Sequence, residues 1–192
     1  MKLFGRHWVL TTDEVYGELG GVLAEHGCPW GWARMINIRN PKNPKVAAHY
    51  KIKANRKRFC ESSETNPPDR NNNASWSAHN PTLTKKIAFV SWHSGGLQAI
   101  SLRRPTRPRQ MARFRPEPLP FVTTEDPASS SGRDKVVVWS FPIIKDGIVW
   151  VVDIRNGLYA LRYKGPAARH VRRVDFIEGN SNLGDARRFS RR

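Results

Sequence analysis

The chain has 192 residues, 39% of them hydrophobic, and sets 33 lysines and arginines against 16 acidic side chains for a formal charge of +17. That is long enough for a sizeable core in one or two domains. No apolar run approaches the roughly 18 residues of a membrane-spanning helix, and "MKLFGRHWVLTTDEV" (Met1 to Val15) has neither a continuous apolar core nor a small-residue cleavage site, which argues against a signal peptide.

Glycines and prolines, 14 of each, punctuate short β-branched and aromatic runs, and no segment keeps a helical period. An all-β fold is expected. In chain order, the first strand is "GRHWVLTTDE" (Gly5 to Glu14), followed by a long insertion, Val15 to Trp30, and a hairpin, "ARMINIRNPKNPKVAAHY" (Ala33 to Tyr50). A polar linker from Arg56 to Ser75 leads to four strands near Asn80–Thr84, Ile87–Trp92, Leu97–Leu102 and Arg109–Phe114. Prolines in the last turn suit an outer strand that does not donate every ladder hydrogen bond. A second polar linker, Pro116 to Arg133, precedes strands near Pro142–Ile144, Ile148–Asp153, Leu158–Tyr163 and Val171–Phe176.

The two four-strand groups are copies. "HNPTLTKKIAFVSWHSGGLQAISLRRP" (His79 to Pro105) overlays "SFPIIKDGIVWVVDIRNGLYALRYKGP" (Ser140 to Pro166) without a gap. Pro81 falls on Pro142, Ile87 on Ile148, Phe89 on Trp150, Val90 on Val151, and Gly96-Leu97 on Gly157-Leu158. Ala33 to Tyr50 likewise overlays Leu97 to Phe114, with Pro41 on Pro105 and Pro44 on Pro108. Repeats of this size mark propellers or solenoids. The expected architecture is one domain, residues 1–192: a partial, open β-propeller of about three four-stranded antiparallel blades. Residues 5–55 would be an incomplete first blade lacking its inner strand and carrying the insertion 15–30. Residues 76–116 and 137–177 would be the second and third blades, and 178–192 a basic tail. Closed propellers use about four to eight blades. The expected arc therefore leaves Trp8, Val9 and Leu10 on a bare edge, and either self-associates or joins missing upstream blades.

The hydrophobic strand "IVWVVD" (Ile148 to Asp153), with its turn and following "GL" strand, resembles the LVIVD-repeat propeller proteins, a mostly bacterial and often exported family. "CPWGWARMINIRNPKNP", "SWSAHNPTL", "SWHSGGLQAISL", "TTEDPASSSG" and "IEGNSNLGDA" resemble the carboxy-terminal part of longer actinobacterial members. The resemblance spans nearly the whole chain and implies a propeller of the cell envelope or an exported one. Against that family the chain lacks amino-terminal blades and an export signal.

Several constellations are candidates for chemistry. His79 and His93 flank the Lys85-Lys86 turn at similar spacing, so an antiparallel hairpin sets them nearly opposite each other at one end. Asp153 occupies the equivalent end of the last unit and Asp13 that of the first. His79, His93 and Asp153 are thus candidate ligands for a transition metal. The competing reading of "SAHNP" is a turn histidine bonded to a backbone carbonyl. Lys85, Lys86, Arg103, Arg104 and Arg107 sit in turns that share one end, a surface for polyanions if these charges are not simply solvated. Cys28 and Cys60 flank the first hairpin. A disulfide there would close a loop of about thirty residues and stabilise by roughly 3–4 kcal/mol, while in a reducing compartment the same residues would be free thiols. Among the tryptophans, Trp30 and Trp32 are the best candidates for a surface role. The carboxylates Glu125, Asp126 and Asp153 have no spacing that defines a glycosidase pair, and no nucleophile elbow, phosphate loop, dinucleotide fingerprint or calcium loop occurs. The function expected first is a binding scaffold for a protein, glycan or envelope ligand, with no organic cofactor. The alternative is a metal-dependent or hydrolytic enzyme with its site at the mouth of the central channel.

Overall fold

The structure is a computed structural model that describes residues 2–3, 6–14, 31–60, 76–120 and 136–179. Among the described residues the strands all pair antiparallel and form three four-stranded sheets, an all-β arrangement. Sheet I runs β1 (Lys2–Leu3), β2 (Arg6–Thr12), β3 (Ala33–Asn37), β4 (Lys45–Tyr50) in that order. Sheet II runs β5 (Pro81–Leu83), β6 (Ile87–Ser91), β7 (Leu97–Ser101), β8 (Arg109–Phe114). Sheet III contains β9 (Ile143–Lys145), β10 (Ile148–Asp153), β11 (Gly157–Leu161) and β12 (Phe176–Ile177), in the order β11-β10-β9-β12. Among the described residues, no helix is long and apolar enough to cross a membrane.

The side-chain pattern of each sheet follows from how many of its faces are covered. Alternate residues of a strand point to opposite faces. In β10 this gives buried Val149, Val151 and Asp153 alternating with less buried Ile148, Trp150 and Val152. Strand β6, "IAFVS", is instead buried at every position. Both of its faces are covered. One face, with Ile87, Phe89, Leu97 and Ala99, packs on Val138, Ile144, Val149, Val151 and Tyr163 of the third unit. The other, with Ala88, Val90, Ile100 and Leu102, packs on Trp8, Ala33, Met35 and Tyr50 of the first. Sheet II is therefore the middle layer of a stack.

The layers are also tied by a repeated hydrogen bond. Thr12 and Ser91 end β2 and β6, and they pair with Ala33 and Leu97, the first residues of β3 and β7. The Thr12 hydroxyl donates to the carbonyl of His79, and the Ser91 hydroxyl donates to that of Ser140 at 2.6 Å. His79 and Ser140 are matching repeat positions, so one bond joins each sheet to the next. In sheet III the matching position is Val152, which has no hydroxyl and is exposed.

Three expectations need correction. The first sheet does not lack an edge strand, because Lys2–Leu3 pairs with His7 and Arg6. Trp8 is not on a bare edge; it is buried in the core shared with sheet II. The segment Val171–Phe176 is not an outer strand beside β11. Its beginning belongs to a helical turn, Arg169–Arg172. The chain then crosses to the opposite edge, where Phe176 and Ile177 pair with Lys145 and Ile144 of β9. That route buries Val171 and Ile177 against the core.

The stacking has a measurable consequence at one repeat position. Leu97 is 4% exposed and Leu158, its repeat equivalent, is 63% exposed, because only the former has a sheet over it. Leu97→Ala should cost about 2–5 kcal/mol in denaturant unfolding, and Leu158→Ala within about 0.5 kcal/mol of nothing. Equal losses would contradict the stack.

Candidate functional site

Antiparallel strands send alternate turns to opposite ends of a sheet. In sheet II the turns at 84–86 and 102–108 share one end and the turn at 92–96 lies at the other. Each end collects a different chemistry.

At the second end three segments converge. His79 precedes β5, and its N–H donates to the Ser91 carbonyl at 2.7 Å while its own carbonyl takes the Thr12 hydroxyl. His93 follows β6 in a tight turn with a positive φ of 29°. The turn closes through a Gly96 N–H bond to the His93 carbonyl at 3.0 Å. Gly96 is required there: its φ is +78°, and a Cβ would lie 2.2 Å from the Phe114 carbonyl oxygen. Glu14 lies two residues past Thr12, as His93 lies two past Ser91, so in sheet I it takes the place that His93 takes in sheet II.

The two imidazoles stack with centroids 4.8 Å apart, and the Trp139 ring lies 4.8 and 4.9 Å from them. Glu14 Oε1 is 3.1 Å from His79 Nε2 and 3.5 Å from His93 Nε2. His79 Nδ1 donates to the Trp139 carbonyl at 3.1 Å. The Asn80 amide nitrogen lies beside the same ring, 3.1 and 3.2 Å from its two nitrogens. The His93 side chain is fully buried, while Glu14 is half-exposed. Burial, then the charge of His79, push the His93 imidazole down to about 3, opposed by a hydrogen bond to the Val138 backbone. His93 is accordingly neutral at physiological pH.

The structure sets the two histidines side by side as the hairpin spacing implies; His79 is not in a turn, although its ring does bond a backbone carbonyl as the competing reading has it. The carboxylate differs. Asp153 is not with the histidines: the backbone at Val138 runs between Asp153 and His93 and bridges to both. The Asp153 carboxylate is buried and accepts the N–H groups of Val137, Arg155 and Asn156 at 2.8, 2.9 and 2.9 Å, so its role is to hold the β10–β11 turn. Asp13 is bonded to Arg34 across sheet I. Glu14 was missed because Asp13 fell on Asp153 in the repeat register. Trp139 was missed because it follows a polar linker.

The first end is cationic. Lys85, Arg103, Arg104 and Arg107 are exposed there, and Lys86 is half-buried, its carbonyl accepting the Leu102 N–H at 2.9 Å. The structure adds Arg169 and His170 of the helical turn, and Arg173 from the expected outer strand. Burial, then Arg169, Lys86, Lys85 and Arg173, push the His170 imidazole below its ordinary value. The helical turn of the third unit thus lies within electrostatic range of the Lys85-Lys86 turn of the second. Among the described residues of the third unit at this end, Asp146 is bonded to Lys145 at 3.0 Å and Asp175 accepts the Asp146 N–H through its carbonyl at 2.9 Å.

Other candidates fall outside this picture. Cys28 lies outside the described residues, as does the Cys60 side chain, and so do Trp30, Glu125 and Asp126. Trp32 is half-buried; its indole N–H donates to His49 at 2.8 Å, and Lys51 Nζ lies 3.7 Å from its ring centroid. Trp92 is wholly buried and donates to the Trp76 carbonyl at 2.7 Å, a packing role.

Compared with protein-family models and with curated proteins, the chain matches none.

The buried imidazole makes stability depend on pH. Unfolded His93 takes up a proton near pH 6.5, and the folded residue only near 3. Between those values the unfolded chain binds more protons, so acidification favours unfolding. The denaturation midpoint should fall from pH 6.5 toward 3, with His93 contributing up to about 1.4 kcal/mol per pH unit. His93→Gln should flatten that slope whatever its stability at pH 7. An unchanged slope in the variant would show that His93 does not titrate this way.

Proposed function

We propose that the three stacked sheets are consecutive blades of an open propeller of the LVIVD-repeat kind, and that the protein is a binding scaffold for an anionic polymer of the cell envelope. The propeller reading is supported by the matching strand registers, by the face-to-face packing of sheet II, and by the hydroxyl–carbonyl bond that recurs from sheet to sheet. The outer face of sheet III, with Val152 39% and Leu158 63% exposed, is where a further blade or a second copy packs.

The observation that carries the binding reading is the convergence of cations at one end. Turn residues of sheet II and the helical turn of the third unit, far apart in the chain, bring Lys85, Lys86, Arg169 and Arg173 within electrostatic reach of His170. Arg103, Arg104 and Arg107 flank them from the next turn at the same end. Clustered like charges repel, and the arrangement is relieved when a polyanion binds and its condensed counterions are released to bulk solution.

Retention on a heparin or dextran-sulfate column should fall steeply between about 50 and 200 mM salt. Arg103→Ala/Arg104→Ala/Arg107→Ala should weaken binding and lower the salt slope by roughly one for each cation in contact. Salt-independent retention, or an unchanged slope in the triple variant, would contradict the reading. In light scattering at low micromolar concentration the protein should exceed monomer mass. Leu158→Asp should restore the monomer, and a monomeric wild type would remove the uncovered face from the account.

A further inference from the structure

We propose that Glu14, His79 and His93 form a binding site for a transition-metal ion of the zinc class, with one coordination position open toward solvent. This site lies at the opposite end from the cationic turns and does not depend on the anionic-ligand reading.

Geometry supports the site first. The three donor atoms lie within 4.8 Å of one another. A tetrahedral ion with bonds of about 2.0–2.1 Å separates its ligands by about 3.3–3.4 Å. The Glu14 oxygen is 3.1 and 3.5 Å from the two Nε2 atoms, which brackets that spacing for two of the three ligand pairs, while the histidine–histidine pair is held within 4.8 Å. Two imidazoles and one carboxylate are also the donor set of open, three-ligand zinc sites, and imidazole nitrogen disfavours magnesium and calcium.

Hydrogen-bond chemistry supports it second. The Trp139 carbonyl can only accept, so His79 Nδ1 carries the ring hydrogen. A neutral His79 then turns the lone pair of Nε2 toward the Glu14 carboxylate, which is itself only an acceptor. The Asn80 amide nitrogen, 3.2 Å from Nε2, offers that lone pair one donor, and a cation between Nε2 and the carboxylate relieves the 3.1 Å approach of the two acceptors. A carbonyl on Nδ1 that fixes the tautomer and leaves Nε2 for an ion is the usual outer partner of a metal-bound histidine. The alternative cation is a second proton on His79, giving an imidazolium–carboxylate pair with no metal.

Placement supports it third. Glu14 comes from sheet I and both histidines from sheet II, so a bound ion clips two layers together. His93 is buried and Glu14 is half-exposed, which directs the remaining coordination position outward, to water or to a donor atom of a bound ligand.

The test uses full-length protein dialysed against chelator, then titrated with zinc chloride by calorimetry and with cobalt(II) by absorption. Wild type should take up one equivalent of zinc with a Kd in the micromolar range or tighter, and its Tm should rise. Cobalt should give ligand-field bands without a thiolate charge-transfer band. Glu14→Gln, which keeps the side-chain shape, should weaken zinc at least tenfold. His79→Ala should abolish both uptake and the Tm shift; His93 is left intact because it is fully buried. Folded wild type that takes up neither metal would overturn the site in favour of the imidazolium–carboxylate pair. A thiolate band, or affinity unchanged in both variants, would overturn it in favour of ligands elsewhere.

Discussion

The structure depends on burying one sheet on both faces. Apart from Gln98, whose amide bonds the Gly95 carbonyl, strands β6 and β7 have apolar or small residues on both sides, and those sides can leave water only if a sheet lies against each. Apolar burial is roughly proportional to area removed from water, so the middle sheet gains from both contacts and its neighbours from one each. The Thr12 and Ser91 hydroxyls then set the stagger of the layers, because each must reach one particular carbonyl of the next sheet. The same residue types in sheet III have no sheet over them among the described residues, and the exposure of Leu158 and Val152 is a result of position in the stack rather than of composition.

The stack also sorts the chemistry. In an antiparallel sheet, alternate turns go to opposite ends. Lysines and arginines are absent from the buried strands β6 and β7, because an unpaired charge there is costly, and they gather in turns, in the edge strand β8 and in the helical turn at 169–172. At the other end the turns are tight and lie beneath neighbouring segments, so imidazoles, an indole and a carboxylate are held against each other. One end is a diffuse electrostatic surface and the other a small, defined cluster of donors.

Much of this was legible in the chain. Ile87–Ser91 and Leu97–Ser101 read as strands because β-branched and aromatic residues are bounded by Thr-Lys-Lys, Ser-Gly-Gly and Arg-Arg-Pro turns, and the copy at Ile148–Leu161 repeats that punctuation. His79 and His93 could be brought together because strand pairing is local. What was not legible depended on longer reach. Phe176 and Ile177 pair across the far edge of their sheet, and nothing within the segment indicates which edge it joins. Lys2–Leu3 is too short to carry an alternating pattern. Glu14 precedes a long insertion, so register from the repeat stops where the site begins. Asp153 looked like a ligand, but a carboxylate just before a turn has N–H groups of its own turn to satisfy, and here it uses them.

Native-state hydrogen exchange followed residue by residue tests the doubly buried layer most directly. Amides of Ile87–Ser91 and Leu97–Ser101 should be the slowest in the molecule and exchange only through global unfolding, while those of the edge strands β4 and β11 open more readily. Equal or faster exchange in β6 and β7 than in β11 would show that the middle sheet is not enclosed, and would contradict the stacked arrangement.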